Sequence, residues 1–177
     1  MDEHRLGLKP ILRRVWARRG QRVRAVVHPR YEWEYVYGFV EPQRGTTHWV
    51  LLPTVSTAAF TAALANFAQD QGVGPTKHIV LALDGAGWHS GTAVQVPHGL
   101  HLVPLPPNSP ELQPAERLWP LVNEPLANRT FDSLAALDAV VGDRCVYLAE
   151  HPEVVRGHTA FHWWPRAASL PEAITPS

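Results

Sequence analysis

Residues 77–89 read KHIVLALDGAGWH, and the apolar run in this stretch sets the fold class. A strand with one wet face alternates apolar and polar residues. An unbroken apolar run between turn formers predicts instead a strand buried on both faces by helices. The run stops on Asp84, and in α/β sheets ligands gather outside the carboxyl ends of the strands. Gly85 and Gly87 follow, allowing close backbone approach of a substrate, and His89 lies near enough in sequence to share a pocket with Asp84. Taken alone, an Asp-Gly pair is more often an ordinary turn and such a histidine an ordinary surface or capping residue.

Upstream, residues 56–71 begin with a Ser cap, carry Phe60, Leu64 and Phe67 at helical spacing, and end at Gly72 and Gly74, which predicts a helix. Residues 32–40 and 47–52 are rich in aromatic and β-branched residues and flank a turn over 41–46, a hairpin pattern. Residues 2–8 and 21–27 read as further strands. Downstream, residues 100–105 form the next strand, a Pro-rich loop spans 106–114, and helices are expected over about 115–121 and over 133–149. This order suggests a ribonuclease H-like α/β fold, a mixed sheet of antiparallel meander plus parallel strands flanked by helices.

The 177 residues suit one compact domain, expected over residues 1–150, with 151–177 as a C-terminal tail. Trp163, Trp164 and Pro165 in that tail carry no catalytic signature. A single Cys145 excludes an intramolecular disulfide framework, and no stretch has the apolar length of a membrane helix or signal peptide. A cytoplasmic bacterial protein without a membrane partner is the expectation. Formal net charge is +0, which by itself speaks against nucleic acid. The charge is uneven, however. Between His4 and Tyr31 stand Arg5, Lys9, Arg13, Arg14, Arg18, Arg19, Arg22, Arg24 and Arg30 with no Asp or Glu. Such a segment attracts polyanions, and Trp16, Tyr31 and Trp33 offer stacking surfaces; the plainer alternative is a solvated basic face.

Residues 105–119, LPPNSPELQPAERLW, place Glu111 in a rigid Pro-rich loop and Glu116 in the first turn of a helix. Prolines at that density suggest positioning. On chemistry alone Glu116 is equally a helix-start carboxylate favoured by the macrodipole, with Trp119 as a packing residue.

The motif LPPNSPELQPAERLW resembles the signature of the mariner-like transposases and their bacterial insertion-sequence relatives. Two further stretches match in the same order: Asp2-Glu3 followed by RRVWARRGQ, and the apolar strand ending in Asp84 with His89 after it. The resemblance implies that Asp2, Asp84 and Glu116 are the metal-binding catalytic acids, with Glu3, His89 and Glu111 as accessory residues. It implies DNA strand cleavage and strand transfer with two Mg²⁺ or Mn²⁺ ions, about 3.5 to 4 Å apart, held by carboxylates because hard cations prefer oxygen. Transposon ends and target DNA would be the partners, met by Arg13, Arg14, Arg18, Arg19 and Arg22, with a homodimer and an upstream helix-turn-helix polypeptide completing the assembly. The chain departs from the family pattern in two ways. Gly85 stands where Asn is usual, and the 31 residues between Asp84 and Glu116 are slightly fewer than usual. Competing expectations are a ribonuclease H-like nuclease that cuts without joining, and an inactive remnant, truncated within its first strand, that binds DNA or a partner. A zinc site on His158 and His162 lacks further ligands.

Overall fold

The computed structural model describes residues 1–21, 24, 30–107 and 109–160. The expected strand over 21–27, Arg22, His162 and most of the tail fall outside these residues or largely so. Three strands form an antiparallel meander in the order β1 (Asp2–Gly7), β2 (Trp33–Glu41), β3 (Thr46–Leu52). The β2–β3 turn uses Gly45 at φ 73°, a conformation that favours glycine. Period-two alternation gives the meander two apolar faces. Val36 and Leu51 point into one core, whereas Tyr37, Phe39 and Val50 point into the other.

Helix α1 (Thr57–Asp70) covers the second of these faces through Phe60, Leu64 and Phe67, and the Ser56 hydroxyl caps it by accepting from Ala59 N at 3.1 Å. Strands β4 (Ile79–Leu83) and β5 (Leu100–Pro104) pair in parallel, and the core under α1 continues beneath them through Leu81, Leu83 and Leu100. The two sheets meet where the Met1 ammonium donates to the Ala82 carbonyl at 2.7 Å, which sets the start of β1 beside β4. The expected ribonuclease H-like mixed sheet is therefore present as a meander and a parallel pair lying side by side.

On the opposite face lie α2 (Trp119–Val122), α3 (Leu134–Glu150) and α4 (Pro152–Thr159). Leu6, Val36, Leu118, Val122, Leu137, Val141, Leu148 and Val155 form their shared core. Two sequence-based expectations need correction here. Strand β4 is not buried on both faces: Val80 is 69% exposed, because the second layer of helices packs over the meander instead. The expected helix over 115–121 is a 3₁₀ turn, Pro114–Leu118, running into the short α2. Pro120, well inside the expected helix, has no N–H to donate to the Glu116 carbonyl in an α-helical ladder. Beyond residue 150, α4 packs back on this body. The turn glycine Gly45 leaves room for the Pro152 backbone, and α4 buries Val155 completely.

Candidate active site

Asp2 opens β1, opposite Gly38 of β2. A Cβ on Gly38 would come within 2.9 Å of the Trp119 ring, so the glycine makes room for an indole over the meander. That indole, stacked on His4 with ring centroids 4.9 Å apart, donates from Nε1 to Asp2 Oδ2 at 2.7 Å. Asp2 Oδ1 accepts from Glu3 N at 2.9 Å, and the residue is only 8% exposed. Burial pushes the Asp2 carboxyl up to about 6 and the Glu116 charge adds to this, against the opposing Trp119 hydrogen bond. Sequence reasoning treated Trp119 as packing. The available signal was general: a buried indole N–H needs an acceptor.

Asp84 follows β4 and keeps a half-exposed side chain. Its Oδ1 accepts from Ala86 N at 3.1 Å and lies 2.8 Å from His89 Nδ1. His89 sits in the 3₁₀ turn Gly87–His89, buried against the Phe60 ring, and its Nε2 lies 2.7 Å from Glu3 Oε1. Burial is the largest single influence on the imidazole and opposes its charge. The hydrogen bond and charge of Glu3, followed by the hydrogen bond of Nδ1 to the Asp84 backbone carbonyl at 3.2 Å and the Asp84 charge, outweigh it and raise its pKa. His89 thereby joins the first-strand acids to the end of β4.

Glu116 is exposed in the turn Pro114–Leu118. Its pKa is raised by desolvation and then by the Asp84 charge. Electrostatically the acids form a chain: Asp84 acts on Glu116, and Glu116 acts on Asp2. Buried Gln113 ties the Pro-rich loop to the head of β1 by donating to Met1 O at 2.7 Å. Burial lowers the Met1 ammonium to about 6, with Asp2, Glu3 and Asp84 pulling the other way. Among the described residues no three His, Cys, Asp or Glu side chains stand close enough to hold a metal ion. The three acids share one region but do not form a closed ligand set. Glu111 is exposed in the separate 3₁₀ turn Pro110–Leu112.

The basic segment leaves β1 as an arm. Its root is held down: Asn128 N donates to Ile11 O at 2.8 Å, and Arg13 Nη2 donates to Pro120 O at 3.1 Å. Beyond it Arg14, Arg18 and Arg19 are exposed, as is Trp16. No helix among the described residues is long and apolar enough to cross a membrane.

A two-sided meander beside a parallel pair, with carboxylates gathered where β1 and β4 meet, defines an α/β domain whose acids face a strand-end surface. The chain belongs to the DDE superfamily endonucleases, whose family profile it matches over residues 1–138. It is 39% identical over 100 residues to the uncharacterized protein y4pE/y4sA of Sinorhizobium fredii (strain NBRC 101917 / NGR234), covering 56% of this chain and 73% of that protein. The fold is similar to that of the Mos1 transposase paired-end complex with left transposon end (TM-score 0.56, 18% identity, 88% of this chain and 53% of that one). It is similar also to the Mos1 mariner paired end complex with Mn (TM-score 0.56, 16% identity, 91% and 55%). The chain thus spans about half the length of the solved structures it matches.

Proposed function

We propose that this chain is the catalytic domain of a transposase that cleaves DNA strands and joins them to a target. The observation that carries this reading is that β1 begins at Asp2 beside β4, which runs into Asp84, while Gln113 ties the loop leading to Glu116 to the same strand head, in a member of the DDE superfamily endonucleases. Asp2, Asp84 and Glu116 would hold two divalent cations, Mg²⁺ or Mn²⁺. Their carboxylate oxygens are the donors that hard divalent cations prefer, and the three side chains would have to draw together to hold such ions. Cations held there would activate a water or DNA 3′-hydroxyl and offset charge on the departing oxygen. Glu116 is preferred to Glu111 because its turn, Pro114–Leu118, directly follows Gln113, whose side chain is bonded to the head of β1, whereas Glu111 stands in the separate turn Pro110–Leu112.

For the chain's own residues, Trp119 holds Asp2, Gln113 anchors the Pro-rich loop, and Glu3 and His89 stand behind Asp84 as accessory residues. Exposed Arg14, Arg18 and Arg19 would meet phosphates, and Arg13 would be more restrained because its guanidinium also serves the Pro120 carbonyl. The Mos1 neighbours are complexes with transposon ends, which favours DNA as the partner. A homodimer and an upstream helix-turn-helix polypeptide complete this reading, in a bacterial cytoplasm.

The test is a cleavage and joining assay on a supercoiled plasmid and on pre-nicked duplexes with Mg²⁺ or Mn²⁺. Cleaved and joined products are expected, with losses of at least about 100-fold for Asp84→Ala and Glu116→Ala. Cleavage without joining would replace the reading by a nuclease. Metal-independent DNA binding alone would leave the inactive binder, a reading favoured by the hydrogen bonds already occupying both Asp2 oxygens. In the same preparations, Arg14→Glu with Arg18→Glu and Arg19→Glu should flatten the salt dependence of DNA affinity by about 2 to 3 log–log units. An unchanged slope would remove these arginines from the interface.

A further inference from the structure

Between α2, α3 and α4 lies an open cleft of about 500 Å³, lined by Arg13, Glu124, Arg144 and Tyr147 among others and by none of Asp2, Asp84 and Glu116. Its two guanidiniums are both held in place. Arg144, on α3, donates from Nε to Leu121 O at 2.8 Å, pairs through Nη2 with Glu124, and lies 4.9 Å from the centroid of the Tyr147 ring. The His151 ring backs the same tyrosine, with centroids 4.0 Å apart. Arg13, at the root of the arm, is held at both ends. Its backbone N donates to Asn128 Oδ1 at 2.9 Å and its Nη2 to Pro120 O at 3.1 Å. Asn128 does this from a left-handed backbone, φ 60°, which asparagine tolerates better than most residues. A guanidinium carries five N–H groups, so these bonds leave donors on both arginines beside the cleft. Ordering long side chains is a main cost of binding an anion, and here the fold has already ordered them.

We infer that this cleft seats a backbone phosphate of DNA, bound by Arg13 and Arg144, and so continues the basic arm onto the body of the domain. Arg14, Arg18 and Arg19 follow Arg13 along the arm and are exposed, so a polyanion lying on the arm meets the cleft at Arg13. Repeated phosphates suit that run of cations, and the planar fork of arginine fits a phosphate through paired N–H groups. The inference rests on the reading of DNA as the partner and adds to it a contact to which the three acids do not contribute. Glu124 has two opposed effects there: it orients Arg144, and its charge repels the phosphate. Arginines that served only to cap the Pro120 and Leu121 carbonyls would hold α2 in place and leave DNA affinity untouched. The two roles therefore separate experimentally.

The experiment follows the fluorescence anisotropy of a short labelled duplex titrated with the full chain in EDTA over a range of salt, with a thermal melt on every variant. Arg144→Gln and Arg13→Gln should each lower the slope of log affinity against log salt by about 1, and Arg144→Lys, which keeps the charge, should restore it. Glu124→Gln should tighten binding several-fold more than Asp70→Asn, the same change of charge on α1, which covers the other face of the meander. Unchanged slopes in folded Arg144→Gln and Arg13→Gln proteins overturn the inference. So does a gain in Glu124→Gln no larger than that in Asp70→Asn. Should Arg144→Gln not fold, Arg13→Gln and Glu124→Gln carry the same decision. Displacement of the duplex by poly-glutamate as effectively as by unlabelled DNA, at equal charge, overturns it in favour of an acidic protein partner. A wild-type chain that binds no duplex removes DNA as the partner and takes the inference with it. Binding that depends on Arg14, Arg18 and Arg19 but not on Arg13 and Arg144 removes the inference alone.

Discussion

Glu34, on β2 opposite Leu6, points its side chain toward α3, where Oε1 is buried with no hydrogen-bond partner among the described residues. Burial and then the charge of Asp138 raise its pKa to about 7, and the Glu34 charge in turn helps keep the Cys145 thiol high. The folded chain therefore holds this proton between about pH 4.5 and 7, whereas the unfolded chain releases it, so stability falls as pH rises through that window. After discounting for partial exposure, Glu34→Gln should gain about 1 kcal/mol at pH 8 and nothing at pH 4. Urea unfolding at the two pH values checks this. An equal effect at both would mean that the carboxylate is not the source. At the same scale, Asp84 and Glu116 were legible from the motif that surrounds each. The partners Trp119 to Asp2 and His89 to Glu3 were not, because they join residues 117 and 86 positions apart and no local pattern encodes such pairs.

Strands and caps announced themselves where local chemistry was strong. The aromatic-rich hairpin became β2 and β3, and the Ser56 and Ser133 hydroxyls accept from Ala59 and Ala136 as N-caps should. The elements that escaped did so for physical reasons. Helix α4 has few apolar residues and is held mainly by tertiary contacts around Val155, and the prolines of residues 106–120 favour 3₁₀ turns over a continuous α-helix. Gly38 shows how one element shapes another, since its missing side chain is the space that the Trp119 ring fills. Gly38→Val should cost about 1 to 3 kcal/mol in chemical denaturation and shift Trp119 fluorescence as the indole leaves Asp2. A variant of unchanged stability and emission would show that the meander tolerates a side chain there.

For the molecule as a whole, two sheets and two layers of helices bring one acid from the first strand, one from the end of β4 and one from the turn before α2 into a common electrostatic region. The class of fold could be read from the order of the elements, but the joint between the sheets could not. It depends on the backbone bond from Met1 to Ala82 and on the Gln113 amide reaching Met1 O. The acids stand near one another yet short of a closed ligand set, so cation binding should draw Glu116 toward Asp84 and Asp2. Diffraction from crystals soaked in Mn²⁺, read by anomalous scattering, tests this most directly. The account predicts manganese peaks within direct coordination distance of Asp2, Asp84 and Glu116. Manganese bound through Glu111, or bound away from Asp2 and Asp84, would contradict it.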